Sequence, residues 1–181
     1  GRLDAADSAL HESLSIGRRL GDRTAISYAA WELALVAGER RDRAGVDRWT
    51  AEARSHADGW IEAGAGVDYF AMVAEVLVQT GDRDAALEHV EAAERHPAAG
   101  DYVWPARSAR ARFETVFGDP VVAERVLDEL DAIAPPRERP LRLLTRAASA
   151  RRRGDTVRAD RLLDEAVAAS REMGDPMRLE R

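Results

Sequence analysis

A glycine followed by an acidic residue recurs along the whole chain. The pairs are Gly21-Asp22, Gly38-Glu39, Gly81-Asp82, Gly118-Asp119, Gly154-Asp155 and Gly174-Asp175. Glycine adopts the left-handed backbone conformation that ends a helix. The following acidic residue can cap the next helix, or its negative charge can interact favourably with the positive N-terminal end of that helix. The pairs therefore predict tight turns between consecutive helices.

The residues that follow these glycines share one spacing. Small or apolar residues stand five, nine and twelve positions later: Ala86, Val90 and Ala93 after Gly81; Ala123, Leu127 and Leu130 after Gly118; Ala159, Leu163 and Ala166 after Gly154; and Ala6, Leu10 and Ser13 after Gly1. Such offsets lie on one helical face and predict close helix crossings at the small residues. After Gly38 the alanine comes one residue late, at Ala44, which a longer turn would explain.

The helix that precedes each turn is also amphipathic. Before Gly81, one face carries Phe70, Val73, Ala74 and Leu77. Apolar residues recur at steps of three and four, and strand-type alternation is missing, so the sequence predicts an all-α fold. Gly81, Gly118 and Gly154 are separated by 37 and 36 residues, which indicates one helical hairpin per interval.

With this turn and this spacing, the sequence resembles tetratricopeptide repeats of a degenerate Gly-Asp-x-x-x-Ala style over essentially all of its length. The resemblance implies a right-handed α-solenoid of two-helix repeats. We expect a single array over residues 1–181. It comprises the second helix of a truncated repeat (1–20), two-helix repeats (23–59, 66–97, 104–135 and 140–173) and the start of a further helix (176–181). Neither end resembles a polar capping repeat, so we expect the chain to be a window from a larger protein.

Composition disfavours several classes of protein. The net charge is −6, and the 27 basic and 33 acidic residues are spread along the chain, so we expect no direct contact with nucleic acid. The most apolar stretch, 69–78, is too short to span a membrane. The chain has no cysteine, which rules out disulfides and fits a cytoplasmic location. Every basic residue counted under Lys+Arg is arginine, a bias that GC-rich coding produces and that indicates an actinobacterial source.

No set of residues in the sequence has the spacing of a catalytic or metal site. The histidines are isolated or, for His89 and His96, seven residues apart, and the chain has no lysine for a phosphate-binding loop. The acidic pairs Asp128-Glu129 and Asp164-Glu165 fit a solvated helix face, unless a cleft brings another acid opposite them. We therefore expect no catalytic residue, no metal and no cofactor.

In tetratricopeptide repeats the first helices line a concave groove. The ligand-contacting positions, counted back from each turn glycine, fall on Tyr28, Glu32, Asp68, Glu75, Gln79, Ser108, Arg112, Thr115, Arg151 and Arg152. The resemblance thus implies a groove that runs from acidic to basic and suits a peptide or helix carrying both charges. The alternative is that these are ordinary solvated residues, the arginines at 151–153 complementing a helix dipole.

The first predicted helix ends with Leu20-Gly21-Asp22-Arg23, and a helix rich in small residues follows. This arrangement resembles the repeat regions of actinobacterial LuxR-type and STAND regulators. This implies a non-catalytic sensor or scaffold portion of a larger bacterial transcriptional regulator that also contains an ATPase module. Its expected partner is a protein, a peptide or a small effector, and self-association through the repeats remains open. The alternatives are a generic protein-interaction scaffold, such as the partner-recognition region of a protease, and an all-helical enzyme.

Overall fold

The computed structural model describes residues 2–57, 65–100 and 103–173, and every regular element in these residues is helical. The α-helices are α1 (Arg2–Leu20), α2 (Arg23–Glu39), α3 (Arg43–Ser55), α4 (Ala65–Thr80), α5 (Arg83–Arg95), α6 (Trp104–Val116), α7 (Pro120–Ile133), α8 (Arg139–Arg152) and α9 (Thr156–Glu172). Short 3-10 helices at Pro97–Gly100 and Pro136–Glu138 precede α6 and α8. The all-α prediction is confirmed.

The chain divides into two compact units, residues 1–102 and 103–181. In the first unit α1 packs on α2, α2 on α3 and α4 on α5, and α2 also contacts α4. In the second unit α6 packs on α7 and α8 on α9, while α8 also contacts α6 and α7. The hairpins are therefore α2–α3, α4–α5, α6–α7 and α8–α9. We call α2, α4, α6 and α8 the first helices, and these touch one another within each unit.

One kind of turn precedes four of the helices. Asp22, Asp42, Asp82 and Asp155 each accept a hydrogen bond from the backbone N–H three residues later, at 3.0 to 3.3 Å. The preceding residues, Gly21, Arg41, Gly81 and Gly154, have φ angles of 67°, 56°, 83° and 79°. The predicted glycine turns at 21, 81 and 154 are thus confirmed, with the Asp as the N-cap of the next helix.

The turn predicted at Gly38-Glu39 is wrong. Gly38 lies buried inside α2, and the turn comes three residues later at Arg41. A Cβ atom on Gly38 would lie 3.3 Å from Cγ1 of Val76 in α4, so this glycine permits a close helix approach. Counted from Arg41, the usual offsets of five and twelve fall on Val46 and Ala53, which are both buried. The position of Ala44 therefore does not require a longer turn.

The predicted small-residue faces are buried in three of the four helices. Every predicted residue of α5, α7 and α9 is buried except Leu163, which is half-buried. In α1 the prediction is wrong for Ser13, which is exposed, because α2 packs instead against Leu14 and Gly17. Gly1, the turn at Gly174-Asp175 and the helix start at 176–181 lie outside the described residues. None of the described helices has the length and apolar character required to cross a lipid bilayer.

Candidate binding surfaces

The ten predicted ligand-contacting residues all lie on first helices, five in each unit. Tyr28 and Glu32 are on α2, and Asp68, Glu75 and Gln79 are on α4. Ser108, Arg112 and Thr115 are on α6, and Arg151 and Arg152 are on α8. The structure gives these residues different surroundings, so each group is described within its own unit.

In the first unit, an exposed tyrosine rests on a buried aromatic base. Tyr28 is 45% exposed, and its ring stacks on Trp31 with centroids 5.6 Å apart and an interplanar angle of 19°. Trp31 is buried and meets the buried Tyr69 of α4 edge-on at 6.1 Å. Burial raises the pKa of the Tyr69 hydroxyl, an effect that the charge of Arg54 partly opposes. Tyr28 is therefore an aromatic contact on a rigid support.

Acidic side chains lie on the same two helices. Glu32 is exposed and stands one turn after Tyr28 on α2, while Asp68 and Glu75 are half-buried and two turns apart on α4. We call Tyr28, Glu32, Asp68 and Glu75 the first-unit surface. Gln79 has another role, because its Nε2 donates to Oε1 of Glu39 at 3.1 Å and so joins α4 to α2.

In the second unit, Ser108 and Arg112 line one cavity. The other lining residues are Leu127 and Leu130 of α7, Glu138, and Leu141, Arg142 and Thr145 of α8. The cavity has a volume of about 10 Å³, roughly the space of one water molecule. We call Ser108, Arg112, Glu138, Leu141 and Thr145 the second-unit surface.

Sequence reasoning missed the part of this surface that α8 supplies. Leu141 stands thirteen residues before Gly154, just as Asp68 stands thirteen before Gly81, so the same count extended to α8 would have found it. Arg142 is buried, and its Nε donates to Oδ1 of Asp131 at 3.0 Å. That contact depends on the packing of α8 against α7, which a local sequence pattern does not predict.

Arg152 contacts Thr115 at the C-terminal end of α6. Nη1 of Arg152 donates to the carbonyl oxygens of Glu114, Thr115 and Gly118 at 3.1, 2.7 and 3.2 Å. These carbonyls lie at and just after the C-terminal end of α6, where backbone N–H donors are scarce; the Glu114 carbonyl also accepts from the N–H of Gly118 at 3.2 Å. The Thr115 side chain itself is buried. Arg152 thus ties α8 to α6, whereas the neighbouring Arg151 is exposed and contacts Asp160 at 3.2 Å.

A network of charged side chains joins α8 to α7. Arg146 is largely buried, and its two terminal nitrogens donate to Glu124 at 2.9 Å, to Asp128 at 2.9 Å and to Asp131 at 2.8 Å. Burial lowers the pKa of Arg146, but its hydrogen bond to Asp128 and the charges of Asp131 and Glu124 raise it overall. Asp128, predicted to belong to a solvated face, is exposed and forms an ion pair as well.

Glu124 extends the network to α9. Its carboxylate also accepts from Nη2 of Arg158 at 2.9 Å and from Nη2 of Arg153 at 3.4 Å. One acidic side chain of α7 is therefore shared by three arginines. Three successive helices of the second unit meet at this residue.

Comparison with protein-family models, with curated proteins and with solved structures finds no match to this chain. The chemistry of the two surfaces is therefore the basis for inferring function. The first-unit surface combines three acidic side chains with the exposed ring of Tyr28, whereas the second-unit surface has Ser108 and Arg112 beside the apolar Leu141. Thr145 is buried and donates its hydroxyl to the Leu141 carbonyl at 2.9 Å. Within the described ranges, no group of three His, Cys, Asp or Glu side chains is arranged to hold a metal ion.

Proposed function

We propose that the chain is a non-catalytic binding module built from tetratricopeptide-like repeats, in the right-handed α-solenoid class, whose first helices bind a protein or peptide. The repeated hairpin is the observation that carries the proposal. Each hairpin buries small residues on its second helix, and the first helices of each unit touch. Polar and aromatic side chains such as Tyr28 and Arg112 are thereby presented from a rigid support.

The size of the second-unit cavity favours an extended ligand over an enclosed small effector. Pockets that bury a drug-sized molecule typically have volumes of roughly 300 to 1,000 Å³. The cavity beside Ser108 and Arg112 is about 10 Å³. A peptide or helix lying across the first helices needs no such pocket, because it is bound by contacts along a surface.

The charges of the two surfaces suit complementary ligand segments. Glu32, Asp68 and Glu75 favour a basic segment that also has an aromatic or aliphatic side chain to place on Tyr28. Arg112, beside Ser108, favours an acidic or hydrogen-bonding segment. At each surface, electrostatics sets the orientation and the rate of encounter of the segment that binds there.

We place this module in a larger cytoplasmic regulator of the LuxR-type or STAND class, where it would act as sensor or scaffold for an ATPase module. Arg152, which donates to the end of α6, and Arg158, which donates to Glu124 of α7, join the two hairpins of the second unit and support a coupling of their rotations. A generic interaction scaffold is the alternative, and it rests on the same surfaces. The modules flanking this chain in its parent protein distinguish the two.

Binding to a peptide library tests the second-unit surface. The chain and its Arg112→Glu variant are screened against the same library, with Arg48→Glu, a charge reversal at an exposed position of α3, as the control. We expect peptides selected by the native chain to lose at least about tenfold in affinity with Arg112→Glu, roughly 1.4 kcal/mol, and under about twofold with the control. Circular dichroism checks that both variants stay helical. Equal affinities for all three chains would refute the assignment of this surface.

A further inference from the structure

The second helices of the second unit, α7 and α9, each expose one continuous side. In α7 this side carries the residues three, seven, ten and fourteen places after Gly118, and in α9 the residues at the same distances after Gly154. Steps of four, three and four keep such residues on one helical face. All of them are exposed: Val121, Arg125, Asp128 and Ala132 in α7, and Val157, Arg161, Asp164 and Ala168 in α9. We call these eight residues the outer face.

The exposure of these positions does not depend on where the array ends. Counted from Arg41, the same positions of the second helix α3 are all exposed: Ala44, Arg48, Ala51 and Ser55. Yet α3 contacts α4 on one side, and on the other side its Glu52 accepts a hydrogen bond from Arg18 of α1 at 2.8 Å. A further hairpin beside α9 would therefore leave the outer face open as well.

The two helices present the same residues on the outer face. Val, Arg, Asp and Ala stand in that order in both, and seven of the thirteen positions are identical between 120–132 and 156–168. The first helices, compared in the same register over 104–116 and 140–152, are identical at only two of thirteen positions. A recent copying of the whole hairpin would have left the first helices as alike as the second helices. The identity is therefore specific to α7 and α9.

The fold does not require these residue types. At the matching positions α3 has no valine, and α5 has Asp84, Glu88, Glu91 and Arg95. In the outer face, Val121 and Val157 are 62% and 82% exposed. A β-branched side chain that lies mostly in water adds nothing to a core and slightly disfavours the helix. A ligand that covers both valines would give them a role.

Matching positions on the two helices form rows across the unit. An ion pair of 2.9 Å at Glu124 joins α9 to α7, and packed helices lie roughly 8 to 10 Å apart. Val121 and Val157 form an apolar row, and Arg125 and Arg161 form a basic row about one helical turn further along. Seven residues of an α-helix span about 10 Å. A helix that lies across α7 and α9 therefore meets each row at residues seven positions apart.

We propose that the outer face binds a helix of another protein that carries one aliphatic and one acidic residue in each of two successive heptads. The aliphatic side chains lie on the valine row, and the carboxylates pair with Arg125 and Arg161. Arg125 forms no ion pair within the part of the chain that the structure describes. Arg161 has only an exposed ion pair with Glu165 at 3.6 Å, which is weak. Both arginines can therefore accept a ligand carboxylate.

The next row sets which side of the bound helix faces the arginines. Asp128 and Asp164 lie just beyond the basic row, and they repel a second line of carboxylates. The acidic residues of the partner must consequently lie between its aliphatic residues and its far side. This binding uses α7 and α9 alone, so it does not depend on the function proposed for the first helices.

A synthetic helix tests the proposal. The probe is a fluorescein-labelled peptide of three heptads with one Leu and one Glu in each heptad, on a background of alanine and glutamine that favours the helix. The control peptide has the same composition, with its Leu and Glu residues at five-residue intervals. Fluorescence anisotropy with the whole chain should show that the probe binds about tenfold or more tightly than the control peptide, because only the probe matches the rows.

Variants of the outer face identify where the probe binds. Arg125→Glu combined with Arg161→Glu should weaken binding by about tenfold or more, because each carboxylate then meets a like charge. Val121→Ser combined with Val157→Ser should weaken it by about fivefold, through loss of apolar contact. Arg48→Glu, at the matching position of α3, should leave the affinity unchanged. Circular dichroism checks that every variant stays helical.

Three results would overturn the proposal. The first is a probe that does not bind, or that binds no better than the control peptide. The second is binding that persists unchanged in the double charge reversal at Arg125 and Arg161. The third is binding that is lost with Arg112→Glu and kept in that double variant, which would show that the probe occupies the second-unit surface.

Discussion

At the scale of single residues, glycine allows the left-handed backbone conformation that most of the Asp-capped turns require. In four turns an Asp side chain accepts from the N–H three residues later; three of these turns have glycine at the left-handed position, and the fourth has Arg41 at φ 56°. A side chain with a Cβ atom is strained in that conformation by roughly 1 to 2 kcal/mol. The arginine is exposed, so its side chain is not needed by the core. Substitution of Arg41 by glycine can therefore relieve the backbone strain without disturbing the core.

Arg41→Gly should stabilise the protein. Removing the strain is offset in part by the greater freedom of glycine in the unfolded chain, so we expect the free energy of unfolding to rise by about 0.5 to 1 kcal/mol. Urea denaturation followed by circular dichroism measures the difference. Gly81→Ala, the reverse change at the matching position of the α4–α5 turn, should lower the free energy by about 1 kcal/mol. A loss of stability in Arg41→Gly would show that the strain argument is wrong.

At the scale of helices, Glu124 is where α7, α8 and α9 meet. Its side chain and that of Arg146 are both largely buried, so solvent screens their attraction less than at an open surface. Removing the carboxylate leaves Arg146, Arg153 and Arg158 without their common partner. Arg146 keeps Asp128 and Asp131 as partners but loses the one carboxylate of the network that is itself buried, and removing one partner of a buried ion pair is costly.

Glu124→Ala should therefore lower the free energy of unfolding by about 2 to 3 kcal/mol. Glu129→Ala removes a carboxylate from the same helix, but Glu129 is half exposed and lies 3.6 Å from Nε of Arg107. We expect that control to cost under about 1 kcal/mol. Urea titrations at low and high salt separate the two cases, because the Glu124 effect should persist in salt. Equal losses in both variants would argue against a special role for the network.

Prediction from sequence succeeded for elements whose causes are local. A turn with a left-handed glycine and an Asp N-cap involves only residues within one helical turn of each other. The fixed spacing of the small residues after it identifies one face of the next helix. Prediction was wrong at Gly38 because that glycine serves a neighbouring helix, through Val76, and not a turn. The same limitation applies to the proposed surfaces: counting along a helix selected Tyr28 and Ser108, whereas the positions of Glu138 and Thr145 near Arg112 depend on tertiary packing.

At the scale of the whole molecule, each unit has its own buried core. In the first unit, Leu14, Ile26, Ala29 and Leu33 form one cluster, and Ala37, Val46 and Val76 form another. In the second unit, one cluster joins α8 and α9 and another joins α6 and α7. Each of these clusters draws its members from one unit alone.

Residues 1–102 and 103–181 should consequently each fold when expressed alone. Their cores are internal, and successive hairpins need only their neighbours for stability. We expect each fragment to give a helical circular dichroism spectrum and a cooperative urea transition. As a control, residues 43–102 lack α1 and α2, which carry most of the larger first-unit cluster, and should be much less stable. A non-helical spectrum for either unit would contradict its independence.

By itself, the sequence determined the helices, most of the turns and the small residues buried after them, because caps and helical periodicity act between residues close along the chain. Only the tertiary structure decided which polar side chains of the first helices tie one helix to another. Arg152 donates to the carbonyl of a residue 37 positions away, and Gln79 pairs with one 40 positions away. Partners at such separations are set by how helices pack, and helical periodicity does not encode them.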